Sequence, residues 1–336
     1  LLIFNFRSYK NNVTVNVFVF AVFQEMSWGT LGTIRPYSNF QPDRDVKELQ
    51  IALEKKDAGT LLRILTNRNN AQRQVLAKTF EELTQKELGA GVKKVLSGDV
   101  ADLLLEMLMP PMHYEAFRLE DAMAGLGTDE ETLLEILCTR TGPQLRQISQ
   151  VYKQMFKKDL EKELKTETSG DFAKLVIALF NKTDVAGLVH KDVQTLVETL
   201  KEKKCDMAPW IYIMTSRDTE HLRNVLDAVE FETGLFLEEA FEKRFSGDLR
   251  LGLKVLVQCI QNPDLYLANR INAMKTPQTH RVMVSHCEED LLCIRAAFLK
   301  LTGTSLYTTD ADLLFYYKTY FDQHFQNITL KCYIGH

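Results

Sequence analysis

Apolar residues recur three and four apart along most of this chain, the spacing that lines one face of an α-helix. The pattern is plainest between residues 130 and 180. Leu133, Leu134 and Leu137 share a face. After Pro143, the residues Leu145, Ile148, Val151, Tyr152, Met155 and Phe156 make a wide apolar stripe, and Leu160 and Leu164 mark a shorter helix. Residues 172–180, FAKLVIALF, are apolar nearly all round, so this helix is expected between neighbours rather than on a surface. A short helix ahead of Gly125 brings such a block to about five helices. Strand alternation is absent from these blocks, and Pro110-Pro111, Pro143, Pro209, Pro263 and Pro277 sit at block edges or helix starts. The predicted fold class is all-α.

The blocks repeat. LTNRNNAQRQ (65–74), LCTRTGPQLRQ (137–147), MTSRDTEHLRN (214–224) and MVSHCEEDLL (283–292) align on Arg68, Arg140, Arg217 and His286, in steps of 72, 77 and 69. Ser-Gly-Asp recurs at 97–99, 169–171 and 246–248, each glycine 30 residues after its arginine. Two landmarks in one register exclude chance. The fourth copy has DADLLFYYKTY where its triplet belongs, near Tyr316.

Composition is that of a globular protein, with 45% apolar and 26% charged residues. A net charge of −4 argues against nucleic-acid binding and against simple attraction to an anionic membrane. Contact with acidic lipid would need a local basic patch or a bridging cation. The six cysteines are scattered, with no CxxC and no zinc spacing, and read as reduced thiols. Residues 13–23, VTVNVFVFAVF, are too short to span a bilayer. Arg7 and Lys10 precede them, but no small-residue cleavage site follows. The expectation is that the working protein starts at Met26 and that residues 1–25 are not part of it.

One stretch breaks the helical run: MAGLGTDEE, residues 123–131. As helix punctuation it is complete. Gly125 suits a left-handed position after a helix end. Thr128 and Glu131 have the spacing of a capping box, and Asp129 and Glu130 place negative charge at a helix start. A glycine turn between helices can also aim backbone carbonyls outward, because no Cβ blocks the approach. Calcium takes six to eight oxygens. Three carbonyls and a bidentate carboxylate supply five, leaving places for water or a phosphate oxygen. Calcium and membrane would then strengthen each other's binding.

Four units of about seventy residues, the MxGLGTDEE turn, the T-x-R with its following helix and the ETSGDF turn together resemble the annexin family, from about Asp43 to Tyr307. The resemblance implies a slightly curved disc of four five-helix repeats that docks on acidic, phosphatidylserine-type membranes through calcium, with a role in membrane organisation or vesicle trafficking. It implies a cytoplasmic, peripherally membrane-associated protein, neither transmembrane nor classically secreted, with no nucleic-acid partner. The family's calcium loop uses carbonyls of M-x-G-x-G and an acid about forty residues on. Here those positions are Met123, Gly125, Gly127 and Glu167. The expected organisation is a tail at 1–42, repeat 1 at 43–112, repeat 2 at 113–184, repeat 3 at 190–262 and repeat 4 at 265–336, altered at its C-terminal end.

The other repeats depart from the pattern. Glu167 follows Arg140 by 27; the same step from Arg68 reaches Val95, and from Arg217 reaches Arg244. The repeat 1 turn, LEKKDAGT (53–60), has neither glycine where the loop needs it. The repeat 3 turn, KEKKCDMAPW (201–210), has Lys204 in place of the second glycine. A cation where the carboxylate belongs repels calcium. Repeat 4, AMKTPQTHRVMVSH (273–286), is about five residues short of the family's loop. Lys201, Lys203, Lys204 and Arg244 are expected on one loop face, as direct contacts to acidic lipid or as a solvated basic turn.

Trp210 opens a helix and reads as core or boundary. GTLGT (29–33) lacks the strand, helix and lysine of a phosphate loop. Glu81-Glu82, Glu238-Glu239 and Glu288-Glu289 are expected on solvated helix faces. No histidine falls in a catalytic motif, so the chain is read as a non-enzyme. The rival reading keeps the fold and makes it a calcium-insensitive scaffold for protein partners.

Overall fold

The computed structural model describes residues 31–125, 127–202, 206–274 and 278–306. Residues 1–25 and 308–336, whose place in the protein the sequence left open, lie outside the described residues. Among the described residues there are eighteen α-helices and no strand. The chain divides into two compact units. One holds the described residues up to Leu108 and from Met274 on, the other those of Met109–Ala273.

The first unit contains α1 (Pro42–Lys55), α2 (Ala58–Thr66), α3 (Asn70–Thr84), α4 (Leu88–Val95), α5 (Asp99–Leu108), α17 (Thr279–His286) and α18 (Leu291–Thr302). Helix α5 is central, packing on α2, α3, α4 and α17. Residues 31–34 run along the turn after α17. Leu31 N–H donates to Glu289 O at 2.8 Å, Leu292 N–H returns to Leu31 O at 3.0 Å, and Ile34 N–H donates to Cys287 O at 2.9 Å. Gly32 is required there, because a Cβ would stand 2.3 Å from the Glu288 backbone.

The second unit contains α6 (Pro111–Ala122), α7 (Glu130–Thr139), α8 (Gly142–Phe156), α9 (Leu160–Glu167) and α10 (Gly170–Phe180). It continues with α11 (Val189–Lys201), α12 (Met207–Ser216), α13 (Thr219–Thr233), α14 (Leu237–Arg244), α15 (Gly247–Gln261) and α16 (Pro263–Ala273). Two five-helix sets share one core: α10 packs on α12 and α15, and α15 packs on α7. Phe172, Leu175, Val176 and Leu179 are buried, as the all-round apolar run of α10 required. Gly252 of α15 lets these helices close, since a Cβ there would stand 2.8 Å from Leu175 Cδ2.

Helix ends follow the repeat register. Asn69 and Thr141 begin α3 and α8 with capping boxes to Gln72 and Gln144. The equivalent Asp218 accepts from His221 N–H at 2.9 Å. The repeated arginines are structural. Arg68 forks onto Asp45 at 2.7 and 2.9 Å, Arg140 meets Glu115 at 2.6 Å, and Arg217 meets Asp192 at 2.8 Å. Each pair ties the first helix of a repeat to the end of its second. His286, the fourth copy, bonds Asp290 instead, Nδ1 to Oδ1 at 2.7 Å.

Trp210 lies fully inside, its indole N–H donating to Thr199 Oγ1 at 2.8 Å and its ring edge-on to Phe241. Glu288 departs from the expectation of a solvated helix face. It lies in the turn between α17 and α18, half-buried, pairing with Arg73 at 2.9 Å and accepting from Asn70 N–H at 2.6 Å. Burial pushes its carboxyl up, and Arg73 pulls it back. The buried guanidinium of Arg73 needs that partner, and hydropathy alone does not reveal it.

Candidate calcium and membrane site

The loop joining α6 to α7 starts at Met123, whose side chain is buried and anchors the turn in the core. Gly125 and Gly127 are exposed, with φ of 95° and 96° and open space where a side chain would stand. Only backbone geometry therefore demands glycine here. Asp129 N–H donates to Ala122 O at 2.8 Å and closes the loop. Among the described residues, no hydrogen bond is made to the carbonyls of Met123, Gly125 or Gly127.

The capping expectation needs correcting. The N-cap of α7 is Asp129, not Thr128. Its carboxylate accepts from Thr132 N–H at 3.0 Å and from Thr132 Oγ1 at 2.7 Å. An ionised acceptor at a helix N-terminus outcompetes a hydroxyl. We expect Asp129→Ala to lower stability by about 1 kcal/mol, read as a shift in the urea midpoint.

Thr128 is thereby released for another contact. Its Oγ1 lies 3.3 Å from Glu167 Oε2 and 3.4 Å from Glu167 O, reaching 39 residues along the chain. Glu167 is the last residue of α9 and is exposed. The turn after it is stabilised by Thr168 Oγ1, which donates to Leu164 O at 2.6 Å. The loop and the predicted acid thus meet in space. Sequence reasoning missed Thr128 as the link between them. The signal available was its position directly after the second glycine.

In repeat 1, Lys56 takes the left-handed position in the turn, with φ of 56°, and Val95 stands half-buried at the end of α4. Val95 therefore offers no carboxylate at the position of Glu167. In repeat 3, Lys201 ends α11 and is exposed, while Lys203 and Lys204 lie outside the described residues. Arg244 ends α14, also exposed. Its Nη1 donates to Glu202 O at 3.0 Å, and its Nη2 donates to Leu200 O. Helix α10, which starts after the Glu167 turn, packs on α12, whose N-cap is Asp206.

Among the described residues, no helix is long and apolar enough to cross a membrane. Residues 44–107, 114–179 and 191–256 each match the annexin family model. Annexin A9 of Homo sapiens is 34% identical over 301 residues, covering 85% of this chain and 87% of the relative. Among solved structures, annexin III superposes with a TM-score of 0.81 at 32% identity, over 86% of this chain and 96% of that one. Chicken annexin V, solved in complex with Zn2+, gives a TM-score of 0.80 at 34% identity, over 87% and 98%. Repeat register, five-helix units and these likenesses place the chain in the annexin family.

Proposed function

We propose that this annexin binds acidic phospholipid membranes in a calcium-dependent way, chiefly through one site in repeat 2. Calcium-dependent phospholipid binding belongs to the family in general, and the assignment to one site is the further step. The carbonyls of Met123, Gly125 and Gly127 and the carboxylate of Glu167 would hold the ion. The observation that carries this reading is the meeting of loop and acid. Thr128 bridges to Glu167 across 39 residues, beside three carbonyls with no hydrogen-bond donor among the described residues.

The donor set suits a hard cation, being all oxygen with a single negative charge. Bound calcium would supply positive charge and open coordination places for a lipid phosphate oxygen. Low charge and few protein ligands make the site weak alone and stronger with lipid, which is positive linkage. We read the chain as a peripheral, cytoplasmic membrane protein with no assigned reaction, since the family is generally non-enzymatic.

The test is co-sedimentation of the full chain with vesicles across a calcium series. We expect capture by phosphatidylserine vesicles in calcium, release by chelator, and no capture by phosphatidylcholine vesicles. Capture of equal extent with and without calcium would favour a calcium-insensitive surface instead.

A further inference from the structure

Arg244 stands 27 residues after Arg217, the register position of Glu167. The two carbonyls its guanidinium binds are also in register. Leu200 corresponds to Met123 and Glu202 to Gly125, each 77 residues on. In repeat 3 the guanidinium thus donates to carbonyls at the positions that, in repeat 2, would face calcium. We infer that Arg244 is a resident cation that replaces calcium in repeat 3 and gives this loop a calcium-independent contact with the phosphate of an acidic lipid surface.

The physical argument has three parts. A guanidinium carries five N–H donors in a planar fork. Among the described residues two are used, on Leu200 O and Glu202 O, so three N–H groups remain for other acceptors. Arg is always charged at neutral pH, so the ties to Leu200 O and Glu202 O do not depend on calcium. Finally, the site shares a face with repeat 2. Helix α10, which starts just past the Glu167 turn, packs on α12, which starts beside the repeat 3 loop. A membrane docked on one loop is therefore within reach of the other. Lys201 adds a second exposed cation.

The nearby acids limit the strength. Glu202 is exposed, and Asp206 Oδ1 accepts from Ala208 N–H at 3.0 Å at the start of α12. The contact is accordingly weak and screened by salt. It rests on the membrane-docking reading, but its experiment runs without calcium, so the two fail separately.

The experiment is co-sedimentation of the full chain in chelator at low salt, with phosphatidylserine or phosphatidylcholine vesicles. Wild type should keep a residual binding to phosphatidylserine vesicles that disappears at raised salt. Arg244→Gln should lower it about fivefold, the scale of one basic residue near an anionic surface. Arg244→Lys, which keeps the charge, should retain most of it. Melting curves check that each variant folds. Chelator-resistant binding that is absent, equal in Arg244→Gln and wild type, or abolished by millimolar inorganic phosphate without vesicle preference would overturn the proposal. An Arg244→Gln protein that melts earlier yet binds the same would leave Arg244 a structural tie alone.

Discussion

Replacing Glu115 by alanine will destabilise the unit spanning Met109–Ala273 by about 3–5 kcal/mol, the range found when one partner of a buried ion pair is removed. Glu115, Arg118, Glu135 and Arg140 are all buried between α6 and α7. Glu115 pairs with Arg140 at 2.6 Å and approaches Arg118 at 3.6 Å; Glu135 pairs with Arg118 at 2.7 Å. Burial lowers the Arg118 pKa, yet the charges of Glu135 and Glu115 outweigh it and hold the guanidinium above its ordinary range. Alanine at 115 leaves two buried cations facing one acid. A thermal melt should shift down by about 10 °C for a unit of this size. Calcium-dependent lipid capture of the folded fraction should persist, because the loop from Met123 to Asp129 is untouched.

The second large effect concerns the loop. Gly127→Val should raise the calcium needed for half-maximal vesicle binding by about 10- to 100-fold. At a φ of 96° a β-branched residue is strained by about 1–3 kcal/mol. Open space surrounds the position, so the strain is relieved by turning the backbone rather than by clashing. That rotation re-aims the carbonyl. Each 1.4 kcal/mol spent on restoring it is a factor of ten in affinity. The melting temperature should change little, since Gly127 is exposed and outside any helix. Leaving the calcium midpoint unchanged while the protein stays folded would show that the Gly127 carbonyl is not a ligand.

These two results probe different layers of what the sequence discloses. The helices and their core faces were legible because burial imposes a 3.6-residue period. Leu145, Ile148 and Tyr152 point inward as their spacing requires. The repeated arginines were legible as landmarks, but their partners were not. Asp45, Glu115 and Asp192 lie 23 to 25 residues upstream, on another helix, and nothing local marks them as buried. Glu288 was misplaced for the same reason: its partner Arg73 is 215 residues away.

The candidate site shows the same division. Glu167 could be singled out only through the repeat register, which converts a distant acid into a numbered position. The competition between Thr128 and Asp129 for the helix cap could not be settled by spacing, because both offer an oxygen. Charge decides it in favour of Asp129, and that choice frees Thr128 to reach Glu167. The repeat 3 loop teaches the converse. Arg244 was readable as the loss of a ligand. That its guanidinium donates to the carbonyls of Leu200 and Glu202 is set by the fold, which brings the end of α14 to the end of α11.

The central claim is that one calcium site, in repeat 2, carries the calcium-dependent membrane binding. Its most direct test is co-sedimentation of wild type and Glu167→Ala with phosphatidylserine vesicles, with calcium and with chelator. Loss of partners around a metal ligand already costs 10- to 100-fold in affinity, so loss of the acid itself should cost at least about 100-fold. The account predicts calcium-dependent capture of wild type and none of Glu167→Ala at the same calcium concentration. Equal calcium-dependent capture of both proteins would contradict it.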